Sequence, residues 1–157
     1  MRVGIGHDTH RLEIQRNLIL GGIAFDHARG LAGHSDADIV LHAVTDAILG
    51  AAGLGDIGDW FPDGDPANFG AESTKFLAVA LEQAGKLGWR PGNLDVIIFA
   101  QEPKLGPGKL AIRDNLARLL CLESDRVNVK AKTGERVGHI GRAEAMSCQA
   151  VVLLVRG

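Results

Sequence analysis

Asp8-Thr9-His10 sets a carboxylate and an imidazole two residues apart. In a strand, side chains at i and i+2 leave the same face, so the two would be delivered together. His42 stands in a run of mostly apolar or small residues, with Asp38 and Asp46 four residues to either side. On a helix these three form one polar ridge. Asp8, His10 and His42 would together supply one carboxylate and two imidazoles, a donor set suited to a divalent transition metal, zinc foremost, with an open position for substrate. Asp38 or Asp46 could then take the free ring N–H of a ligand histidine and fix its tautomer. The spacing alone leaves the plainer reading open: a common D-x-H strand end and a solvated helix face, with nothing to bring them together.

Three further stretches carry polar groups at places where chains turn. Gly53-Leu54-Gly55-Asp56-Ile57-Gly58 formally matches a dinucleotide fingerprint, but it follows a helix, whereas the fingerprint needs a strand before it. What remains is a carboxylate-rich loop running to Asp65, able to accept hydrogen bonds from hydroxyl groups or merely to turn the chain. Ala100 to Lys109 joins a strand end to a helix start, where free backbone N–H groups and Lys104 favour an anion. It is no Walker A loop, because Lys109 is followed by Leu110. Lys130 to Glu135 and Gly138 to Glu144 bring cations, a hydroxyl and carboxylates to another strand end, the usual location of a site and equally of a solvated loop.

The elements that must position these groups follow from periodicity. Val3 to Thr9 reads as a strand, and Leu18 to Phe25 as a hairpin about Gly21-Gly22. Ser35-x-x-Asp38 has the form of a capping box before a helix whose apolar stripe runs through Ile39, Val40, Ala43, Val44, Ala47, Ile48 and Ala51, with Gly50, Gly53 and Gly55 ending it. A second helix is expected over Ala71 to Leu87, with Phe76, Leu77, Ala80 and Ala84 inward, and a third from Pro107 to about Leu120. Leu94 to Ala100, Val127 to Ala131 and Ser147 to Val155 read as strands. This order suggests one α+β domain over residues 1–157, a sheet covered mainly on one face.

Composition narrows the function classes. With 157 residues, the chain is long enough for a substantial core without disulfides. A net charge of -2 without a long basic block argues against a general nucleic-acid binder. No apolar run approaches the roughly 20 residues that span a bilayer, and Arg2 interrupts any signal-peptide apolar segment, so a cytoplasmic location is the expectation. Cys121 and Cys148 read as small buried hydrophobes rather than a disulfide or thiolate site. With six histidines against two cysteines, imidazole and carboxylate must hold any metal.

In sequence order, Gly6-His7-Asp8-Thr9-His10, His34-Ser35-Asp36-Ala37-Asp38, Leu41-His42-Ala43-Val44-Thr45-Asp46-Ala47, Gly55-Asp56-Ile57-Gly58, Phe61-Pro62-Asp63, Asn128 to Glu135 and Gly138 to Glu144 resemble the 2-C-methyl-D-erythritol 2,4-cyclodiphosphate synthase family of the non-mevalonate isoprenoid pathway. The resemblance implies an α/β sandwich with a small mixed sheet, helices on one face, and a homotrimer with active sites between subunits. The implied activity is that of a phosphorus-oxygen lyase: 4-diphosphocytidyl-2-C-methyl-D-erythritol 2-phosphate is cyclised with release of CMP. Carried over residue by residue, Asp8, His10 and His42 become zinc ligands, and Glu135 holds magnesium or manganese at the substrate diphosphate. Asp56, Ile57, Gly58 and Asp63, with His34 and Ser35, fall on the methylerythritol side, and Phe61 and Asp65 count as substrate-binding as well. Ala100, Lys104, Leu105, Gly106, Ala131, Lys132 and Thr133 fall on a cytidine diphosphate pocket across the subunit boundary. His139 and Arg142 also count as substrate-binding, and His34 and Thr133 as transition-state stabilisers.

The implied chemistry gives the charge balance a meaning. A substrate with three phosphates meeting a chain of net charge -2 requires two divalent ions for local neutralisation. Three positions depart from the family pattern: His139 in place of Phe, Ala145 in place of Gly, and His7 in place of an apolar residue. Some members hold an isoprenoid diphosphate in a cavity on the trimer axis, near position 7, Arg142 and Glu144; the imidazole of His7 disfavours that binding here.

Overall fold

Alternation along the first strand decides how the site is built. Positions 4, 6, 8, 10 and 12 leave one face and positions 3, 5, 7 and 9 the other. In the first set, Gly4, Gly6 and Leu12 are buried; in the second, Val3 and Ile5 are two-thirds exposed. The computed structural model describes every residue except Asp63, Ala67 and Asn68. The order of elements is β1 (Arg2–Ile14), β2 (Leu18–Leu20), β3 (Ile23–Phe25), β4 (Arg29–Leu31), α1 (Ile39–Ala52), α2 (Ile57–Trp60), α3 (Ser73–Lys86), β5 (Trp89–Phe99), α4 (Lys109–Leu120), β6 (Val127–Lys132), α5 (Gly138–Gly141) and β7 (Ala145–Arg156).

A mixed five-stranded sheet runs β4-β1-β7-β5-β6, with only β5 and β6 parallel. β2 and β3 form the expected hairpin, with Gly21 and Gly22 at positive φ (60° and 76°) as a two-residue turn needs. α1 lies directly on β1 and β7 because β1 offers it no side chains at Gly4 and Gly6. A Cβ at Gly4 would sit 2.0 Å from the Ala47 carbonyl oxygen, and one at Gly6 2.0 Å from that of Ala43. Ala43, Ala47 and Ala51 complete the close contact from the helix side. The core then fills with α1, Leu77 and Ala80 of α3, Ile112 and Leu116 of α4, and Leu94, Val96, Ile98, Cys148, Val152 and Leu154 of the sheet.

The structure departs from the sequence expectations at several element ends. β1 extends to Ile14, β4 forms where the sequence suggests no element, and α2 and α5 form within stretches expected as loops. The anticipated Ser35-x-x-Asp38 capping box does not form. Asp38 is itself the N-cap, accepting from the Val40 and Leu41 N–H groups, while Ser35 Oγ takes the Ala37 N–H. Gly50 lies inside α1, which Gly53 ends at positive φ (76°). Pro107 sits in a 3₁₀ turn over Gly106–Gly108 just ahead of α4. Cys148 is buried as expected, and burial pushes its thiol up; Cys121 is exposed at the end of α4. Among the described residues, no helix is long and apolar enough to cross a membrane.

Candidate metal centre

Asp8 and His10 project from β1 toward α1, and the close Gly4/Gly6 contact brings His42 of α1 down to meet them. Asp8 Oδ2 lies 2.9 Å from His10 Nε2 and 2.9 Å from His42 Nδ1. One potential ligand atom from each residue falls within 4.8 Å of the others. Partial burial opposes ionisation of Asp8, but the hydrogen bonds and charges of His10 and His42 prevail and hold its carboxyl well below the usual range.

The second ring nitrogens decide what the cluster can bind. His10 Nδ1 faces the Ala32 carbonyl oxygen, which only accepts, so that nitrogen carries the hydrogen and Nε2 keeps its lone pair. His42 Nε2 lies 2.8 Å from Ser73 Oγ, whose own hydrogen goes to Asp36 Oδ1. His42 therefore donates from Nε2 and keeps its lone pair on Nδ1. With both rings in these neutral tautomers, two imidazole lone pairs and a carboxylate oxygen converge, and a bound cation takes the place of the ring protons that otherwise hydrogen-bond to Asp8. A cation satisfies all three at once, and two neutral imidazoles with a carboxylate suit a divalent transition metal with an open position.

Neither Asp38 nor Asp46 takes the ring N–H expected of it. Asp38 does not belong to an exposed ridge: it is fully buried, with Gly21, Gly22, Val40 and Leu41 donating backbone N–H groups to its carboxylate. Asp46 accepts from the Ile57 N–H at 3.1 Å and so fixes the start of α2; burial, aided by the charges of Asp56 and Asp8, raises its pKa against that bond. The residues doing the orienting are Ala32, Ser73 and Asp36.

The cluster opens on a cavity of about 660 Å³, lined by Asp8, His10 and His42 and by His7, Gly33, His34, Ser35, Asp46, Asp56, Ile57, Gly58, Phe61, Pro62 and Phe76. Asp56 and Asp59 form a reciprocal capping box on α2, so that the turn presenting Ile57 and Gly58 is held from both ends. The Phe61 ring packs 4.4 Å from that of Phe76, closing the apolar side. Of the expected residues on this side, Asp65 does not line the cavity and Asp63 lies outside the described residues.

Ala100, Lys104, Leu105, Gly106, Ala131, Lys132, Thr133, Glu135, His139 and Arg142 do not line the cavity either. Ala100, Ala131, Lys132, Thr133 and Glu135 stand at the ends of β5 and β6: Ala100 N–H donates to Lys132 O, and Thr133 Oγ1 donates to Glu135 Oε1 at 2.7 Å. Arg142 is paired with Glu144, 2.8 Å away. Asp8 is level with Cys148, Cys148 with Ile98, and Ile98 with Ala131. Within one chain, three strand spacings, about 14 Å, thus separate Asp8 from Ala131.

Fold and site together define a mixed α+β protein built around a candidate two-histidine, one-carboxylate metal centre. The chain belongs to the YgbB family, whose profile matches residues 1–155. It is 52% identical, over 155 residues, to the 2-C-methyl-D-erythritol 2,4-cyclodiphosphate synthase of Bordetella pertussis, an alignment covering 99% of this chain and 96% of that protein. Among solved structures it resembles the bifunctional IspDF of Campylobacter jejuni, with a TM-score of 0.95 and 42% identity over 99% of this chain. It spans 42% of that longer protein. It also resembles the CDP-bound form of a 2C-methyl-D-erythritol-2,4-cyclodiphosphate synthase, with a TM-score of 0.91 and 40% identity over 98% of this chain and 100% of the other.

Proposed function

We propose that this protein, as one domain over residues 1–157, cyclises 4-diphosphocytidyl-2-C-methyl-D-erythritol 2-phosphate to 2-C-methyl-D-erythritol 2,4-cyclodiphosphate, releasing CMP. The observation that carries the reading is the convergence of potential ligand atoms of Asp8, His10 and His42 in the wall of a cavity of about 660 Å³. The near full-length identity to proteins named for that reaction supports it. The 2-phosphate oxygen attacks the β-phosphorus, the bond from that phosphorus to the CMP oxygen breaks, and no protein nucleophile is needed. Bound zinc would supply Lewis-acid polarisation of a phosphoryl oxygen, with magnesium or manganese at Glu135 neutralising the leaving side.

The chain's own groups orient and enclose. Asp56, Ile57, Gly58 and Phe61 form the wall against which the methylerythritol hydroxyls and methyl group lie, with Asp63 and Asp65 assigned to the same end. His34 and Ser35 line the same cavity beside the metal centre, and His34 donates to phosphoryl oxygen as charge builds. Ala100, Lys104, Leu105, Gly106, Ala131 and Lys132 hold the cytidine diphosphate; Thr133 stabilises the transferring group, and His139 and Arg142 lie at the edge of that pocket.

The separation of the two groups of residues supports an active site made between subunits of a homotrimer. A second copy would bring its own β5–β6 end to the cavity. The outer sheet face supports the same assembly: Val3 and Ile5 are two-thirds exposed beside Val151 and Leu153, a patch that association would cover. Two unpaired cysteines fit a reducing cytoplasm.

Phosphorus NMR of the purified protein with substrate and magnesium tests the reading. A cyclic diphosphate and CMP are expected; a linear hydrolysis product would show instead a metal-dependent phosphoesterase. Elemental analysis should return about one zinc per chain.

A further inference from the structure

Ser73 opens α3 with its side chain fully buried, 31 residues along the chain from His42. Its contacts do not cap its own helix. The Ser73 N–H donates to Asp36 Oδ2 at 3.1 Å, its hydroxyl donates to Asp36 Oδ1, and its oxygen faces His42 Nε2 at 2.8 Å. Asp36 is held in turn, since its Oδ1 also accepts the Asp38 N–H at 3.2 Å. Both oxygens of Asp36 are thus committed before Ser73 meets the imidazole. With its hydrogen spent on a carboxylate, the hydroxyl can only accept from His42.

We infer that Ser73, held by Asp36, is a positioning residue that fixes the His42 tautomer with Nδ1 bare and turned toward Asp8, so that the metal meets a preformed ligand. The inference rests on the metal-centre reading, not on the identity of the substrate. Ser35 Oγ is the other hydroxyl near His42 Nε2, at 3.2 Å, but no carboxylate takes its hydrogen among these contacts and it already accepts the Ala37 N–H. It lacks the arrangement that dictates direction. Partners of this kind change metal affinity by about 10- to 100-fold when removed.

The test is zinc affinity by chelator competition on the full chain, together with ¹⁵N shifts of the His42 ring in the zinc-loaded protein. Ser73→Ala should raise the zinc dissociation constant about 10- to 100-fold and make the Nε2 hydrogen exchange faster with solvent. Ser73→Thr, which keeps the hydroxyl, should recover most of the affinity. Asp36→Asn is the second variant: an amide NH₂ toward Ser73 Oγ would free the serine hydrogen to compete for Nε2, again weakening zinc. Unchanged zinc affinity in a folded Ser73→Ala protein would overturn the inference, as would unchanged affinity in Asp36→Asn should Ser73→Ala fail to fold. If the cyclisation reading failed while these variants still bound zinc weakly, the positioning role would stand by itself.

Discussion

At the residue scale, Asp8 of β1, partly buried, and Asp38, fully buried at the start of α1, respond to pH in opposite ways. Asp8 is held low by two imidazoles, and its contribution to stability is present above its ordinary carboxylate pKa and lost as pH falls below about 4. Asp38 is pushed up to about 6, because full burial and the Asp36 charge outweigh the backbone N–H groups aimed at it. The folded chain thus holds the Asp38 proton more tightly than the unfolded chain. Its favourable contribution is fully present below about pH 4 and is lost as pH rises through 6, a change of about 3 kcal/mol. Urea unfolding of the metal-free protein between pH 4 and 7 should reveal that slope, and Asp38→Asn should flatten it. A slope unchanged in Asp38→Asn would assign it to other groups. Asp38→Asn should also cost stability at every pH, since its NH₂ cannot accept from Gly22 as Oδ2 does at 2.6 Å.

At the scale of elements, the decisive contact is α1 on β1. The geometry that sets His42 beside Asp8 is backbone against backbone, so a methyl group there has nowhere to go. Gly6→Ala should destabilise by about 3 kcal/mol or more and weaken zinc binding as α1 lifts away, measured by urea midpoint and chelator competition. Gly50→Ala is the counterpart on the same helix. A Cβ there meets nothing within 4 Å, and the change should stabilise by about 0.5–1 kcal/mol. Equal effects of the two substitutions would mean that crowding at β1 does not govern the packing.

These elements also show why the sequence was legible in parts. Asp8-x-His10 could be read because strand alternation is strictly local, and His42 because it stands among mostly apolar or small residues on a polar ridge with Asp38 and Asp46. Asp36 and Ser73 could not, being 37 residues apart and joined only by tertiary contact. Ser35 failed as a helix cap because its hydroxyl is engaged with Ala37 and lies beside His42, and no local pattern reveals that competition. α2 had a signal in Asp56-x-x-Asp59, obscured by flanking glycines, while α5, Gly-His-Ile-Gly, is held by its surroundings against poor helix propensity. The three strand spacings between Asp8 and Ala131 are a property of strand order, which periodicity does not encode.

At the scale of the whole molecule, the proposed trimer makes assembly and turnover inseparable, and surface substitutions can part them. Ile5→Lys places a charge in the exposed apolar patch of the outer sheet face, on the side of β1 away from the metal ligands. Sedimentation should fall from three times the chain mass toward a single chain, cyclisation should be lost, and zinc should remain bound. Retained activity in a monomer would place the nucleotide pocket within one subunit and overturn the assembly argument.

β1 therefore carries two messages in one stretch of chain. Its even positions supply the close contact with α1 and two of the metal ligands; its odd positions supply the face turned away. Deleting or inserting one codon between Gly6 and Asp8 would exchange the two sets beyond that point, sending the carboxylate and imidazole to the outer surface and turning Thr9 inward. Such a lesion would abolish the metal site without replacing any of its ligands, whereas point substitutions at Val3 or Ile5 would leave it whole. In the history of this gene, the odd positions of β1 should tolerate changes of letter far better than the strand tolerates changes of length.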